Sequence, residues 1–216
     1  MKMQITHLIN HAFKYVVKAS AAFNIDESHA LKHSMQVYYI ANDIYNVECI
    51  KNPFLKDQKD IICVSALLHD MCDKKYMDEE VGLNLLKDYM GHFIPEERMN
   101  TITEIISTMS YSKVKKNGYP DLGEYQMAYH IVRESDLLAA YDPDRCIIYS
   151  MMVENFSYLE AVHRCFELFD NRVLKYIEDG LFITESGKTM AQQLHDKAIL
   201  DIRKIRDLSI ADQSYI

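Results

Sequence analysis

Leu67-Leu68-His69-Asp70 closes an apolar run that begins at Ile61, so an imidazole and a carboxylate stand side by side at the edge of a buried segment. Both are ligands for a divalent cation, and together they invite metal chemistry. The dipeptide alone carries little weight, because nine His and 18 Asp in 216 residues yield about 0.75 such pairs by chance. A second pair, His195-Asp196, lies in the polar stretch from Gln192 to Lys197 and reads as a coincidence. Partners for the first pair are sought among ionisable residues that interrupt helical apolar patterns, where partial burial makes an unpaired group costly. His33 and Asp136 stand out, and His29 shares a helix face with His33 by i,i+4 spacing.

The order His33, His69-Asp70, Asp136 resembles the HD-domain metal-dependent phosphohydrolases, in which a first His, a His-Asp pair and a distal Asp come from three helices of a bundle. The chain is most similar to the small bacterial HD hydrolases that include nucleoside triphosphate pyrophosphatases. Their S-H-D-x-x-H-x-x-R-V motif is answered by Ser28-His29-Ala30-Leu31-Lys32-His33-Ser34-Met35-Gln36-Val37, and H-D-x-x-D-x-K-F by His69-Asp70-Met71-Cys72-Asp73-Lys74-Lys75-Tyr76. I-S-F-S-K is similar to Met109-Ser110-Tyr111-Ser112-Lys113, and D-A-D-R-L-D-A to Glu134-Ser135-Asp136-Leu137-Leu138-Ala139-Ala140. The segment Thr184 to Ala191 resembles the T-x-x-G/A-K-x-x-A helix start of those proteins, so the likeness spans about residues 20–205. Four positions depart from it: Ala30 and Ala139 stand for Asp, Gln36 and Leu137 for Arg. All four lose charge beside a retained ligand, which implies a kept metal centre with altered neighbours.

The resemblance implies one divalent ion (Mn, Fe, Ni, Zn or Mg) held by His33, His69, Asp70 and Asp136. Water activated there would hydrolyse a phosphoanhydride or phosphoester of a small phosphorylated compound, a nucleotide being the first expectation. Asp70 and Asp73 are the expected catalytic carboxylates, Asp73 either accepting a proton from the attacking water or orienting His69. Lys75, Lys113, Tyr76 and His29 are the expected substrate contacts, the lysines on phosphate and Tyr76, with Tyr111, stacked on a base. A rival reading keeps the pocket but not the turnover, as a non-catalytic binder of a nucleotide or protein partner. A third, a dinuclear cyclic-nucleotide phosphodiesterase, needs two more His; His92 and His130 fall in the right interval, but Ile105-Ile106-Ser107-Thr108-Met109 holds no His. Asn117-Gly118-Tyr119-Pro120 reads as a turn.

The elements that must position these residues read as helices. Six Gly and four Pro in 216 residues are few, and 49% hydrophobic with 26% charged residues suits one all-α domain, for which the resemblance implies a helical bundle of the HD type. Its core motifs occupy about residues 20–145, with C-terminal helices at 146–208 packed on them. Periodicity predicts helices over 5–23, 28–45 (capped by Asp26 or Ser28), 57–71, 78–90 and 95–110. A loop is expected over 111–123, then a helix over 124–141 ended by Asp142-Pro143, then two or three more with breaks near Gly180 and Gly187. A net charge of −8 argues against duplex nucleic acid. The five cysteines are odd in number, lack any Cys-x-x-Cys and read as reduced packing residues. No apolar run reaches the roughly 18 residues of a membrane span and no signal segment is visible, so the expectation is a cytoplasmic monomer or homodimer.

Overall fold

A helix that is apolar all round must be covered on every side, and the run ending in the His-Asp pair is such a helix. In the computed structural model, which describes residues 5–212 and side chains to residue 207, α3 (Lys59–Leu68) is buried at every position from Ile61 to Leu68. Four helices enclose it: α1 (Ile5–Phe23), α2 (Leu31–Lys51), α5 (Glu96–Thr108) and α7 (Gln126–Ala139). The others are α4 (Glu79–Met90), α6 (Tyr111–Asn117), α8 (Pro143–Met152), α9 (Tyr158–Asn171) and α10 (Glu185–Asp212). The described residues contain no strand, so the all-α expectation holds. No helix among them is long and apolar enough to cross a membrane.

Local chemistry explains most boundaries. Asp78 caps α4 by accepting from Val81 N at 3.0 Å, and Ser157 with Glu160 forms a capping box at the start of α9. Asp142 accepts from Asp144 N and Pro143 opens α8, so the predicted break there is also a start. The first helix spans Ile5–Phe23 as expected, whereas several other boundaries shift. The second helix begins at Leu31 rather than Ser28 and runs on to Lys51; neither Asp26 nor Ser28 caps it, because Asp26 Oδ1 accepts from Ser28 N within the preceding turn. Pro53–Gln58 forms a 3₁₀ turn, and α3 stops at Leu68, so His69 and Asp70 occupy the following turn rather than the helix itself. Residues 111–123 are not one loop: Tyr111–Asn117 is helical, ended by Gly118 at φ 75°. A 3₁₀ turn at Gly123–Tyr125 precedes α7, and no break occurs at Gly187, which lies in the first turn of α10.

Two glycines allow close approaches that set the site. A Cβ on Gly82 of α4 would stand 2.7 Å from Met77 Sδ and 3.1 Å from Cys72 Cα, so glycine lets α4 press on the turn that follows His69-Asp70. At the start of α10, Glu134 of α7 accepts from Ile183 N (2.6 Å), Thr184 N (3.1 Å) and Thr184 Oγ1 (2.6 Å). Thr184 Oγ1 also accepts from Gly187 N at 2.9 Å, which caps the helix. Glu48 of α2 accepts from Ser186 N and Oγ at 3.0 and 2.8 Å. Two buried carboxylates thus meet the positive end of α10 and fasten it to α2 and α7. A Cβ on Gly187 would fall 2.1 Å from Glu134 Oε2 and 2.7 Å from Thr184 Oγ1. Gly187→Ala is expected to lower unfolding stability by about 2–4 kcal/mol, read by urea denaturation, while exposed Lys188→Ala stays within about 0.5 kcal/mol of wild type.

Candidate functional site

Three segments bring four ligand atoms together. His33 comes from the first turns of α2, His69 and Asp70 from the turn after α3, and Asp136 from the last turns of α7. The two imidazoles face each other, Nε2 to Nε2 at 3.0 Å. Asp70 Oδ2 is 3.2 Å from both Nε2 atoms, and Asp136 Oδ1 is 3.4 and 3.5 Å from them. Ligand atoms of His33, His69 and Asp136 all lie within 4.8 Å of one another, the one such group among the described residues, and Asp70 joins through the imidazoles. His69 Nδ1 donates to Ala66 O at 2.9 Å, which fixes the ring and turns Nε2 toward the others. Asp70 Oδ2 and His33 Nδ1 are buried without a hydrogen bond.

The electrostatics of this point call for positive charge. Burial opposes charge on His69, yet Asp70, helped by Asp136, pushes its pKa up to about 10. Burial likewise opposes ionised carboxylates, but the His69 charge and the His33 and His69 contacts hold Asp70 well below the usual carboxylate range. Asp136 is held down by the same two imidazoles, also against burial. Two nitrogen and two carboxylate oxygen donors, one oxygen lacking any hydrogen bond, fit a divalent cation.

A cleft of about 450 Å³ opens beside the four atoms. His29, Asp73, Lys75 and Lys113 line it, and so do Tyr111, Leu137 and Arg145. His29 is buried, and burial lowers its pKa despite Asp26, with Lys75 and Arg145 adding to the fall. A neutral ring is what its contacts require: Lys75 Nζ donates to Nε2 at 2.9 Å, and Ser28 Oγ is 2.6 Å from Nδ1. The Lys75 ammonium also lies 5.2 Å from the centre of the Tyr149 ring and 3.6 Å from Asp73 Oδ2. Asp73 Oδ1 accepts from Lys75 N at 2.9 Å, so this carboxylate orients the lysine as well as facing the cleft.

Other expected contacts are differently disposed. Tyr76 does not line the cleft; its hydroxyl donates to Asp26 and lies 3.0 Å from His29 Nδ1, so it braces His29 instead of offering a stacking face. The Lys113 ammonium is paired with Glu79 and donates to Ser107 O at 2.6 Å, so its charge is already partnered. Of the four positions where the chain departs from the resembled motifs, Leu137 faces the cleft, Ala30 and Ala139 are buried, and Gln36 lies away from the centre in a groove with Met35, Tyr39 and Met190. His92 is exposed and His130 is buried elsewhere, beside Gln126 and Tyr119, so neither joins the four atoms.

Arg145 is the principal residue that the sequence reading missed. Its Nε donates to Ser28 O at 2.6 Å, while Nη2 lies 3.5 Å from Asp70 Oδ2 and Nη1 3.8 Å from Asp136 Oδ1. Asp142-Pro143 announced a helix start just before it, but only the direction of α8 brings the guanidinium back to the centre. Tyr149, on the same helix, lines the cleft and was missed in the same way.

No family model matches the chain, and no curated protein matches it. Among solved structures, it is similar to a protein of Lactobacillus plantarum determined as a structural-genomics target, with 17% identity and a TM-score of 0.70 over 98% of this chain and 100% of that one. That likeness concerns the fold alone.

His130 titrates independently of the four-atom cluster. Burial, with Arg133, lowers its pKa to about 4, so it stays neutral in the fold well below the ordinary 6.5. The unfolded chain takes up a proton there first, so stability present above pH 6.5 is lost as pH falls through about 4. His130→Gln is expected to flatten that part of the stability-versus-pH curve, measured by urea titrations at each pH.

Proposed function

We propose that the protein is a metal-dependent phosphohydrolase that cleaves a phosphoanhydride or phosphoester bond of a small phosphorylated compound, a nucleotide. One divalent ion (Mn, Fe, Ni, Zn or Mg) would be held by His33, His69, Asp70 and Asp136. The observation that carries this reading is the convergence of two Nε2 atoms and two carboxylate oxygens at 3.0–3.5 Å beside a cleft, with Asp70 Oδ2 buried and lacking a hydrogen bond. The ordered likeness to HD-domain phosphohydrolases selects phosphate chemistry from among the reactions such a centre supports. A bound cation would supply Lewis acidity and a lowered pKa for attacking water.

The chain's own residues supply the rest. Lys75, held by His29 Nε2 and the Asp73 carboxylate, presents a cation to a phosphate oxygen in the cleft. His29 is a positioning residue, kept neutral by burial so that it accepts from Lys75 and does not repel it. Asp73 faces the cleft with about a quarter of its side chain exposed and is the carboxylate proposed to take a proton from attacking water. Tyr111, with the Arg172 guanidinium 4.2 Å from its ring centre, offers a planar wall for a base. The rival reading, a binder without turnover, draws on Leu137, an apolar residue facing the cleft where the related motif carries Arg.

Purified protein reconstituted with each of the five metals is expected to hold about one divalent ion per chain by elemental analysis and to release phosphate or pyrophosphate from members of a nucleotide panel. His69→Ala and Asp70→Ala are expected to lose the ion and at least about a hundredfold of the activity. Nucleotide-induced thermal shifts without turnover would favour the binder, and unchanged metal content in Asp70→Ala would overturn the assigned centre.

A further inference from the structure

Arg145 is held in a way that neither packing nor a simple ion pair explains. It is anchored by one nitrogen: Nε donates to the Ser28 carbonyl at 2.6 Å, on the turn that precedes α2. The two terminal nitrogens then reach one carboxylate each, Nη2 at 3.5 Å from Asp70 Oδ2 and Nη1 at 3.8 Å from Asp136 Oδ1. Both separations exceed good hydrogen-bond length, so the guanidinium acts on the carboxylates through charge while its terminal N–H groups remain unspent. Asp70 Oδ2, the nearer oxygen, is the buried atom without a hydrogen bond. About a fifth of the arginine side chain is exposed, and it opens on the same cleft as Asp70 and Asp136.

We infer that Arg145 makes occupancy of this centre by a cation and occupancy of the cleft by an oxyanion mutually dependent. The inference rests on the proposed metal centre. With the cleft empty of anion, Arg145 is a fixed positive charge sharing two carboxylates with any divalent ion, and it weakens that ion's binding. An oxyanion between ion and guanidinium converts the repulsion into two attractions, because the planar fork can offer both Nη groups to its oxygens. The anion then tightens the cation, and by linkage the cation tightens the anion by the same factor. Lys75, also at the cleft, adds affinity for the anion without touching the carboxylates of the centre, so it does not create this coupling.

The test uses calorimetric titration of Mn²⁺ into the full-length protein, with and without inorganic phosphate, for wild type, Arg145→Ala and Arg145→Lys. In wild type, phosphate is expected to tighten Mn²⁺ binding by about tenfold. Arg145→Ala is expected to bind Mn²⁺ alone about fivefold more tightly than wild type, and to lose most of the phosphate effect. Arg145→Lys, which keeps the charge but not the fork or the bond to Ser28, is expected to bind Mn²⁺ alone as weakly as wild type and to show a reduced phosphate effect. Thermal melts of all three proteins check that the turn before α2 survives. If Arg145→Ala binds Mn²⁺ no more tightly than wild type and keeps the phosphate effect, the coupling role is overturned while the metal centre stands. If wild type takes up no divalent ion, the centre itself is overturned.

Discussion

The structure depends on hiding one short helix. Every residue of α3 from Ile61 to Leu68 is buried, and a segment without a polar side is stable in water only inside a sleeve of other helices. The sleeve is α1, α2, α5 and α7, each turning a stripe toward α3, as α1 does with Leu8, Ala12, Tyr15, Val16 and Ala19. The last buried turn ends where the sleeve opens, and there the chain presents His69 and Asp70. The two walls nearest that opening, α2 and α7, contribute His33 and Asp136. The four-atom cluster is therefore set by the same packing that shelters α3, and no mobile loop is needed to assemble it.

Charge at the cluster is balanced across a short distance. Two imidazoles and two carboxylates sit within a few ångströms in a region sheltered from water, where like charges repel strongly and opposite charges are worth more than at a surface. The imidazoles favour ionised carboxylates, and the carboxylates favour a proton on His69 whose place a bound cation would take. Around them stands a second set of polar contacts, Asp26, Tyr76, His29 and Lys75, which brings a cation to the cleft through a neutral ring. The arrangement separates what holds the centre from what faces a ligand, which suits the proposed chemistry on a phosphorylated compound.

Much of this was legible in the sequence because it was written in local periodicity. The apolar run into His69-Asp70, the scarcity of Gly and Pro, and the helical spacing of residues 5–23 and 78–90 point to packed helices from local pattern alone. His33 and Asp136 were legible as ionisable interruptions of apolar helices, and the structure puts both against the pair. What was not legible depended on direction and on contacts between distant segments. Lys113 reads as a loop cation, but Tyr111–Asn117 is helical and Glu79 takes up its charge. Tyr76 has the right spacing for a cleft residue, yet it turns toward Asp26. Gln36 lies one turn from His33 on a face directed elsewhere. Arg145 has no local signature beyond the helix start at Asp142-Pro143, and the grip of Glu134 on Thr184 is invisible until α10 is laid beside α7.

That grip has a topological consequence. α7 meets the later chain near two points: Asp136 lies 3.8 Å from Arg145 just after α7 ends, and Glu134 accepts hydrogen bonds from Ile183 and Thr184 just before α10 begins. The α8–α9 hairpin, which supplies Tyr149, Arg164 and Leu168 to the cleft, is thus an excursion whose exit and return are both pinned to one turn of a single helix. The cleft wall formed by α8 and α9 is therefore tied at its base to the residue that completes the four-atom cluster and, through Arg145, to the turn before α2.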